Sequence, residues 1–128
     1  MKILIADDEY LAIEAIKKLV TNSIKEAKIV ATASSGKEAI LKANEFNPDV
    51  AIMDIQMPGI DGLEAIRQIK STNSNIIFIV LTAYDFFDYA NEAIGIGALD
   101  YLLKPIKKDQ LIEALEKAKA IVEVRKKQ

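Results

Sequence analysis

The stretch Val50-Ala51-Ile52-Met53-Asp54 decides the fold of this chain, because four consecutive apolar residues end abruptly at a carboxylate. Three other mainly apolar runs also end beside a polar side chain. They are Lys2–Ala6 before Asp7 and Asp8, Ile76–Leu81 before Thr82, and Leu99–Leu103 before Lys104. Short continuous apolar runs are typical of strands that are buried on both faces of a parallel sheet.

Segments with a helical spacing of apolar residues separate these runs. The spacing and the capping residues predict helices within Tyr10–Thr21, after Ser34 or Ser35, around residues 63–69, around residues 86–94 and over Lys107–Val124. The side chains expected to face the core are Leu11, Ala15, Ile16, Leu19, Ala39, Ile40, Ala43, Phe46, Leu63, Ile66, Ile69, Phe86, Ala90, Ala93, Ile94, Leu111, Leu115 and Val122.

Five strand–helix units in succession predict an α/β fold, a parallel sheet with helices on both faces. The run Ile29–Ala33 supplies the second strand, and it ends without a candidate site residue. Right-handed crossovers favour a doubly wound (βα)5 sheet of the flavodoxin-like type, with strand order 2-1-3-4-5. Ligands bind such sheets at the carboxyl edge where the chain reverses direction, which here lies between strands one and three.

The composition limits the chemistry of the chain. With 128 residues, 51% of them hydrophobic, and a net charge of −2, we expect one compact domain without a general attraction to nucleic acid or to an anionic membrane. The absence of Cys and His excludes disulfides, Cys/His zinc sites and thiol or imidazole catalysis, so a bound metal must be held by oxygen, which favours Mg²⁺, Mn²⁺ or Ca²⁺. The first apolar run is too short for a signal peptide or a membrane span, which predicts a cytoplasmic protein.

The strand ends are expected to bring Asp8, Asp54, Thr82 and Lys104 into one acidic pocket with a hydroxyl and an amine at its rim. Such a pocket suits a metal ion and a phosphoryl group. Most members also have a simpler interpretation: Asp7-Asp8-Glu9 can cap the first helix, Thr82 can be an ordinary β-branched strand residue, and Lys104 can form a salt bridge with the acids. Asp54 is harder to explain in that way, because carboxylates crowded at a central strand repel one another unless a cation lies between them. The Lys104-Pro105 peptide can be cis.

The segment Asp54-Ile55-Gln56-Met57-Pro58-Gly59-Ile60-Asp61-Gly62 resembles the phosphoacceptor loop of response-regulator receiver domains from two-component signalling. Asp7-Asp8-Glu9, Leu81-Thr82-Ala83 and Tyr101-Leu102-Leu103-Lys104-Pro105 match the same family in the same order, from Met1 to about Val122. The resemblance implies that Asp54 accepts a phosphoryl group, and that Asp8, Asp54 and the backbone carbonyl of Gln56 bind Mg²⁺, with Asp7 assisting through water. It further implies that Lys104 and Thr82 hold phosphoryl oxygens, and that Tyr101 is the switch aromatic that turns inward with Thr82.

The same resemblance implies the cofactor and the partners. Mn²⁺ can substitute for Mg²⁺, and the phosphodonor is a histidine kinase or a phosphotransfer protein. Phosphorylation is expected to change the surface of the fourth helix, fifth strand and fifth helix, through which a homodimer can form. We expect a receiver domain over residues 1–122 and a tail or linker over residues 123–128. DNA would be contacted only through an output domain outside this chain, and residues 83–90 resemble receivers fused to AraC-type or LytTR-type DNA-binding modules.

Three other functions are weighed against a signalling switch. A Mg²⁺-dependent phosphatase with an aspartyl-phosphate intermediate needs a second acid two residues after the nucleophile, where this chain has Gln56. A degenerate receiver that only binds proteins would lack the acids or Lys104, and a flavin-binding domain would need a phosphate loop in place of Asp7-Asp8-Glu9. We therefore expect a switch and not a turnover enzyme, although the effect of Gln56 and Tyr84 on dephosphorylation stays open.

Overall fold

The computed structural model of the protein describes residues 1–83 and 88–128 in full and residue 87 as backbone. Over these residues five strands alternate with five helices. The strands are β1 (Lys2–Ala6), β2 (Lys28–Ala33), β3 (Val50–Asp54), β4 (Ile77–Thr82) and β5 (Asp100–Leu103). The helices are α1 (Tyr10–Ser23), α2 (Gly36–Phe46), α3 (Gly62–Thr72), α4 (Phe87–Gly95) and α5 (Lys108–Lys126). No helix within the described ranges is long and apolar enough to cross a membrane.

The strands form one parallel sheet in the order β2-β1-β3-β4-β5. The doubly wound, flavodoxin-like α/β architecture predicted from the sequence is therefore confirmed. Successive side chains along each strand point to opposite faces of the sheet and so fill two separate cores. Leu4, Met53 and Phe78 face α2, α3 and α4, whereas Ile5, Ile52 and Ile79 face α1 and α5.

Several predicted core positions are wrong, and α1 shows why. Leu11 is 80% exposed and Ala15 is exposed, and α1 instead buries Ile13, Ile16 and Val20. Apolar residues occur on more than one side of this helix, so their spacing alone did not distinguish the face that meets the sheet. Phe46 and Ile94, each in the last turn of its helix, are also exposed.

Element ends differ from the prediction by one or two residues. Ser35, not Ser34, is the N-cap of α2, and its side chain accepts a hydrogen bond from the backbone of Glu38. α5 continues to Lys126, and Arg125 donates a hydrogen bond of 2.7 Å to the carbonyl of Asn75. The predicted inward position of Phe86 lies outside the described residues, as does Tyr84.

Candidate functional site

The predicted strand ends lie side by side along one edge of the sheet. The strand register pairs Ala6 with Met53, Asp54 with Leu81, and Thr82 with Leu103. The side chains at and just beyond these positions are therefore neighbours in space, although 97 residues separate Asp7 from Lys104. The parallel strand order brings them together, as expected for the carboxyl edge of this kind of sheet.

Three carboxylates meet at this edge. Asp7, Asp8 and Asp54 each offer one oxygen, and the three oxygens lie within 4.8 Å of one another. Asp7 and Asp54 are 0% and 2% exposed, whereas Asp8 is open to solvent. Helix capping does not account for the acids, because Glu9 is the N-cap of α1 and makes no side-chain cap hydrogen bond within the described residues. Like charges this close to one another repel, and the repulsion is relieved by a nearby cation or by protonation of one carboxylate.

Lys104 supplies one such cation. Its Nζ lies 2.8 Å from Asp7 Oδ2 and 3.5 Å from Asp54 Oδ2. Its backbone N–H donates to the carbonyl of Thr82 at 2.7 Å, and the Lys104–Pro105 peptide is cis, as the sequence allowed. Burial alone would lower the pKa of Lys104, but the hydrogen bond to Asp7 and the charges of Asp54 and Asp7 raise it overall. Lys104 is therefore a positive charge directed at two carboxylates.

Of the two buried acids, Asp54 has the less complete set of hydrogen bonds. Burial, followed by the charge of Asp7, raises its pKa from 3.8 to about 6, although Lys104 acts in the opposite direction. Its Oδ1 is buried and has no hydrogen-bond partner among the residues that the structure describes. By contrast, Asp7 Oδ1 accepts the Glu9 N–H at 2.9 Å and Asp7 Oδ2 accepts Lys104. Asp54 thus has an oxygen available for a ligand or a bond.

Thr82 and Gln56 are in contact beside this cluster. Thr82 is fully buried at the end of β4, and its Oγ1 donates a hydrogen bond of 3.4 Å to Gln56 Oε1. The sequence pointed to Gln56 through its backbone carbonyl and left its effect on dephosphorylation open, but it did not indicate this contact. The bond is long and therefore weak.

Tyr101 lies on β5, paired with Val80 two residues before Thr82. It is half-buried and packs against the core cluster that contains Val80 and Ala93. Ala93 belongs to α4, so Tyr101 packs in the same cluster as that helix. It stands outside the carboxylate cluster.

The structure also adds two residues that sequence reasoning missed. Gly62 allows α3 to start directly against β3, since a Cβ there would lie 2.2 Å from the carbonyl oxygen of Asp54. Tyr89 of α4 lines a cavity beside Asp8, together with Gln56, Met57, Pro58 and Asp61. Gly62 belongs to the segment Asp54–Gly62 on which the family resemblance rests, so its position was a signal. No sequence pattern in α4 marked Tyr89 as a site residue.

The residues present fit a hard divalent cation. The clustered ligand atoms are all carboxylate oxygens, and one buried oxygen of Asp54 lacks a partner among the described residues. Mg²⁺ prefers such oxygens and commonly keeps several waters, which the exposed position of Asp8 permits.

Comparison with known proteins identifies the family to which most of the chain is similar. The model of the response regulator receiver domain matches residues 3–116. The chain is similar to the chemotaxis protein CheY of Listeria monocytogenes, with 39% identity over 92% of this chain and 98% of the relative. It is also similar to the transcriptional regulatory protein YesN of Bacillus subtilis, with 37% identity over 90% of this chain but only 31% of that longer protein. Against the positive alginate biosynthesis regulatory protein of Pseudomonas aeruginosa it spans 47% of the relative.

A solved structure shares the whole fold. The receiver domain of AraT, a response regulator from Geobacillus stearothermophilus, superposes with a TM-score of 0.89 at 38% identity, over 98% of this chain and 97% of that one. Sequence, topology and strand-end residues thus lead to one family. The chain belongs to the receiver domains of two-component response regulators.

Proposed function

We propose that this chain is a phosphorylation-activated signalling switch in which Asp54 accepts a phosphoryl group from a histidine kinase or a phosphotransfer protein. The observation that carries the proposal is the Oδ1 of Asp54, which is buried among three clustered carboxylates without a partner in the described residues. A buried carboxylate with a vacant oxygen beside a lysine is suited to act as a nucleophile toward phosphorus.

The transfer itself needs little beyond position and charge. A carboxylate oxygen of Asp54 forms a bond to phosphorus while the bond from phosphorus to the donor's histidine nitrogen breaks, and that nitrogen keeps the electron pair. With a pKa of about 6, Asp54 is ionised at neutral pH, so no protein base is required. Lys104, 3.5 Å from Asp54 Oδ2, is within reach of phosphoryl oxygens and can neutralise their charge.

The metal ligands of the proposal are Asp8, Asp54 and the backbone carbonyl of Gln56, with Asp7 acting through water. Both oxygens of Asp7 already accept hydrogen bonds, from Glu9 and from Lys104, which favours an indirect role. Mg²⁺, for which Mn²⁺ can substitute, supplies positive charge that stabilises the phosphoryl oxygens when bound.

The proposed switch couples the site to a surface. When Asp54 carries a phosphoryl group, Thr82 exchanges its weak bond to Gln56 for a phosphoryl oxygen, and Tyr101 turns inward. Tyr101 and Ala93 of α4 pack in the same core cluster, so this change would bias the α4-β5-α5 face. We propose that this face forms a homodimer or contacts an output domain, and that DNA is reached only through such a domain. Residues 1–122 would be the switch and residues 123–128 the tail or linker.

Acetyl phosphate with Mg²⁺ tests the phosphoacceptor assignment. Intact mass should show one added phosphoryl group on the wild type and none on Asp54→Ala, while Asp88→Ala, at an exposed acid of α4, should label like the wild type. An unlabelled wild type, or equal labelling of Asp54→Ala, would contradict the assignment.

The solution mass in the presence of beryllofluoride, which mimics the phosphoryl group, tests the dimer. The mass of the wild type should double on addition, whereas that of Asp54→Ala should not change. An unchanged wild-type mass would remove the homodimer from the proposal and leave the output-domain contact.

A further inference from the structure

Helix α4 packs against the core through one buried side chain, that of Ala93, among its residues 88–95. By contrast, α3 buries the large side chains of Leu63, Ile66 and Ile69. A segment with little buried apolar surface shifts more easily than its neighbours. Polar contacts therefore account for a larger share of what keeps this part of α4 in place.

Two polar contacts join this part of the chain to α3. Arg67 Nη2 of α3 donates a hydrogen bond to Glu92 Oε2 of α4, in an ion pair that bridges the two helices. About one turn further along α3, Lys70 Nζ donates to the carbonyl of Gly97, just after α4, at 3.4 Å. Glu92 and Gly97 lie on either side of Ala93 in the chain, so the two contacts hold the helix on both sides of its buried residue.

Helix α3 is itself fixed relative to Asp54. Gly62 is its first residue, and the Gly62 N–H donates to the carbonyl of Ile55 at 2.9 Å. An ideal Cβ on Gly62 would lie only 2.2 Å from the carbonyl oxygen of Asp54, so the helix start and the strand end are in main-chain contact. The buried side chains of α3 keep it there, because the core is close-packed. The contacts of α3 with α4 therefore fix α4 relative to Asp54.

We propose that the Arg67–Glu92 ion pair and the Lys70–Gly97 hydrogen bond act together as a latch, which holds α4 in its resting position and opposes the switch. Arg67 and Lys70 are then positioning residues, because they act on the signalling surface through α4 and not on the reacting atoms. A contact made in only one of two conformations shifts their equilibrium by its own free energy. The latch therefore sets how much of the free energy of phosphorylation is left to change the α4-β5-α5 face.

The inference rests on the proposed function, in which Tyr101 turns inward when Asp54 is phosphorylated. Tyr101 and Ala93 pack in the same core cluster. Because protein cores are close-packed, room for the inward ring must come from a shift of its neighbours. Among these neighbours α4 has only one buried side chain over residues 88–95, so we expect α4 to move and the latch to break.

Calorimetric titration of beryllofluoride into the Mg²⁺-saturated chain tests the latch, because the bound anion favours the switched conformation. Arg67→Gln and Glu92→Gln should each bind beryllofluoride about two- to fivefold more tightly than the wild type, the range expected from the free energy of an exposed ion pair. Both side chains are 40% exposed, so water can solvate the partner that remains and each variant should fold. The double variant should bind no more tightly than either single variant, because both changes break the same pair.

Two further variants complete the experiment. Lys17→Gln is the matched control, since Lys17 pairs with Glu14 at 3.4 Å within α1 and is similarly exposed, and its affinity should equal that of the wild type. Lys70→Met keeps an apolar stem but removes the donor to Gly97, and should bind beryllofluoride about twofold more tightly. Far-UV circular dichroism at the titration temperature shows whether each variant is folded.

Unchanged or weaker beryllofluoride binding by Arg67→Gln and Glu92→Gln would overturn the latch, as would effects of the two changes that add in the double variant. Binding of beryllofluoride by the wild type, together with labelling of Asp54 by acetyl phosphate, would in that case still support the proposed function. A wild type that neither binds beryllofluoride nor takes up a phosphoryl group would instead refute both.

Discussion

Replacing Asp54 with Asn should stabilise the metal-free protein, because it removes a charge that the fold holds at a cost. The pKa of Asp54 is about 6 in the folded chain, raised first by burial and then by Asp7, against an ordinary value of 3.8. One unit of pKa corresponds to about 1.4 kcal/mol, so at pH 7.5 the ionised carboxylate lowers the free energy of unfolding by about 3 kcal/mol. The Asn side chain has the same shape and no charge. We therefore expect Asp54→Asn to be more stable than the wild type by up to that amount.

The pH dependence gives the sign of the effect. The folded chain binds the Asp54 proton more tightly than the unfolded chain does. The contribution of this group to the free energy of unfolding is therefore fully present below pH 4, and it is lost as the pH rises through 6. The advantage of Asp54→Asn should therefore grow from about 1.5 kcal/mol at pH 5 to about 3 kcal/mol at pH 7.5. Urea unfolding followed by far-UV circular dichroism, with EDTA present, measures this difference.

Two controls show whether the cause is the charge. Asp109→Asn removes an exposed acid from the first turn of α5, where it favours the helix, so it should lose about 0.5 kcal/mol. Saturating Mg²⁺ should stabilise the wild type, because the cation binds the folded state, and should narrow the gap to Asp54→Asn. If Asp54→Asn were no more stable than the wild type in EDTA, or if its advantage did not grow with pH, the account of Asp54 as a costly buried charge would be wrong.

Three further substitutions probe the same site. Lys104→Met leaves the buried Asp7 and Asp54 without their cation, so it should lower the free energy of unfolding in EDTA by about 2 kcal/mol. It should also extend the loss of stability with rising pH to higher pH, and urea unfolding measures both effects. Asp8→Asn removes an exposed carboxylate from the cluster, and should weaken Mg²⁺ binding at least tenfold by calorimetry with little effect on the metal-free melting temperature. Gly62→Ala forces a Cβ to within 2.2 Å of the Asp54 carbonyl oxygen, and should cost about 2 kcal/mol in urea unfolding, whereas Gly95→Ala should cost nothing.

The strand-end part of the site could be predicted because it depends on topology alone. Once the apolar runs are assigned to parallel strands in the order 2-1-3-4-5, the residues after Ala6, Met53, Leu81 and Leu103 must meet at one edge. No knowledge of side-chain packing is needed for that step. The residue types at those positions then restrict the chemistry to oxygen ligands, a hydroxyl and an amine.

Features that depend on packing could not be predicted in the same way. The core face of α1 was misassigned, since Leu11 and Val20 are both apolar and only contact with the sheet distinguishes them. The contact between Gly36 and Ile60 joins the start of α2 to the loop after β3, which is remote in sequence, and it involves main-chain atoms of Ile60. Tyr89 lines the cavity beside Asp8 from α4, a helix that also buries Ala93 in the core. These features follow from the positions of whole elements, not from a local pattern.

The unequal bonding of the two buried acids suggests how one pocket separates its roles. Asp7 has both oxygens engaged, by the Glu9 N–H and by Lys104, so its charge is compensated by groups of the protein itself. Asp54 has one oxygen within reach of Lys104 and one without a partner among the described residues, and burial raises its pKa. The free energy that a cation or a covalent phosphoryl group can gain in this pocket is therefore concentrated on Asp54. In the proposed transfer this difference favours Asp54 over Asp7 as the nucleophile, because the protein already satisfies both oxygens of Asp7.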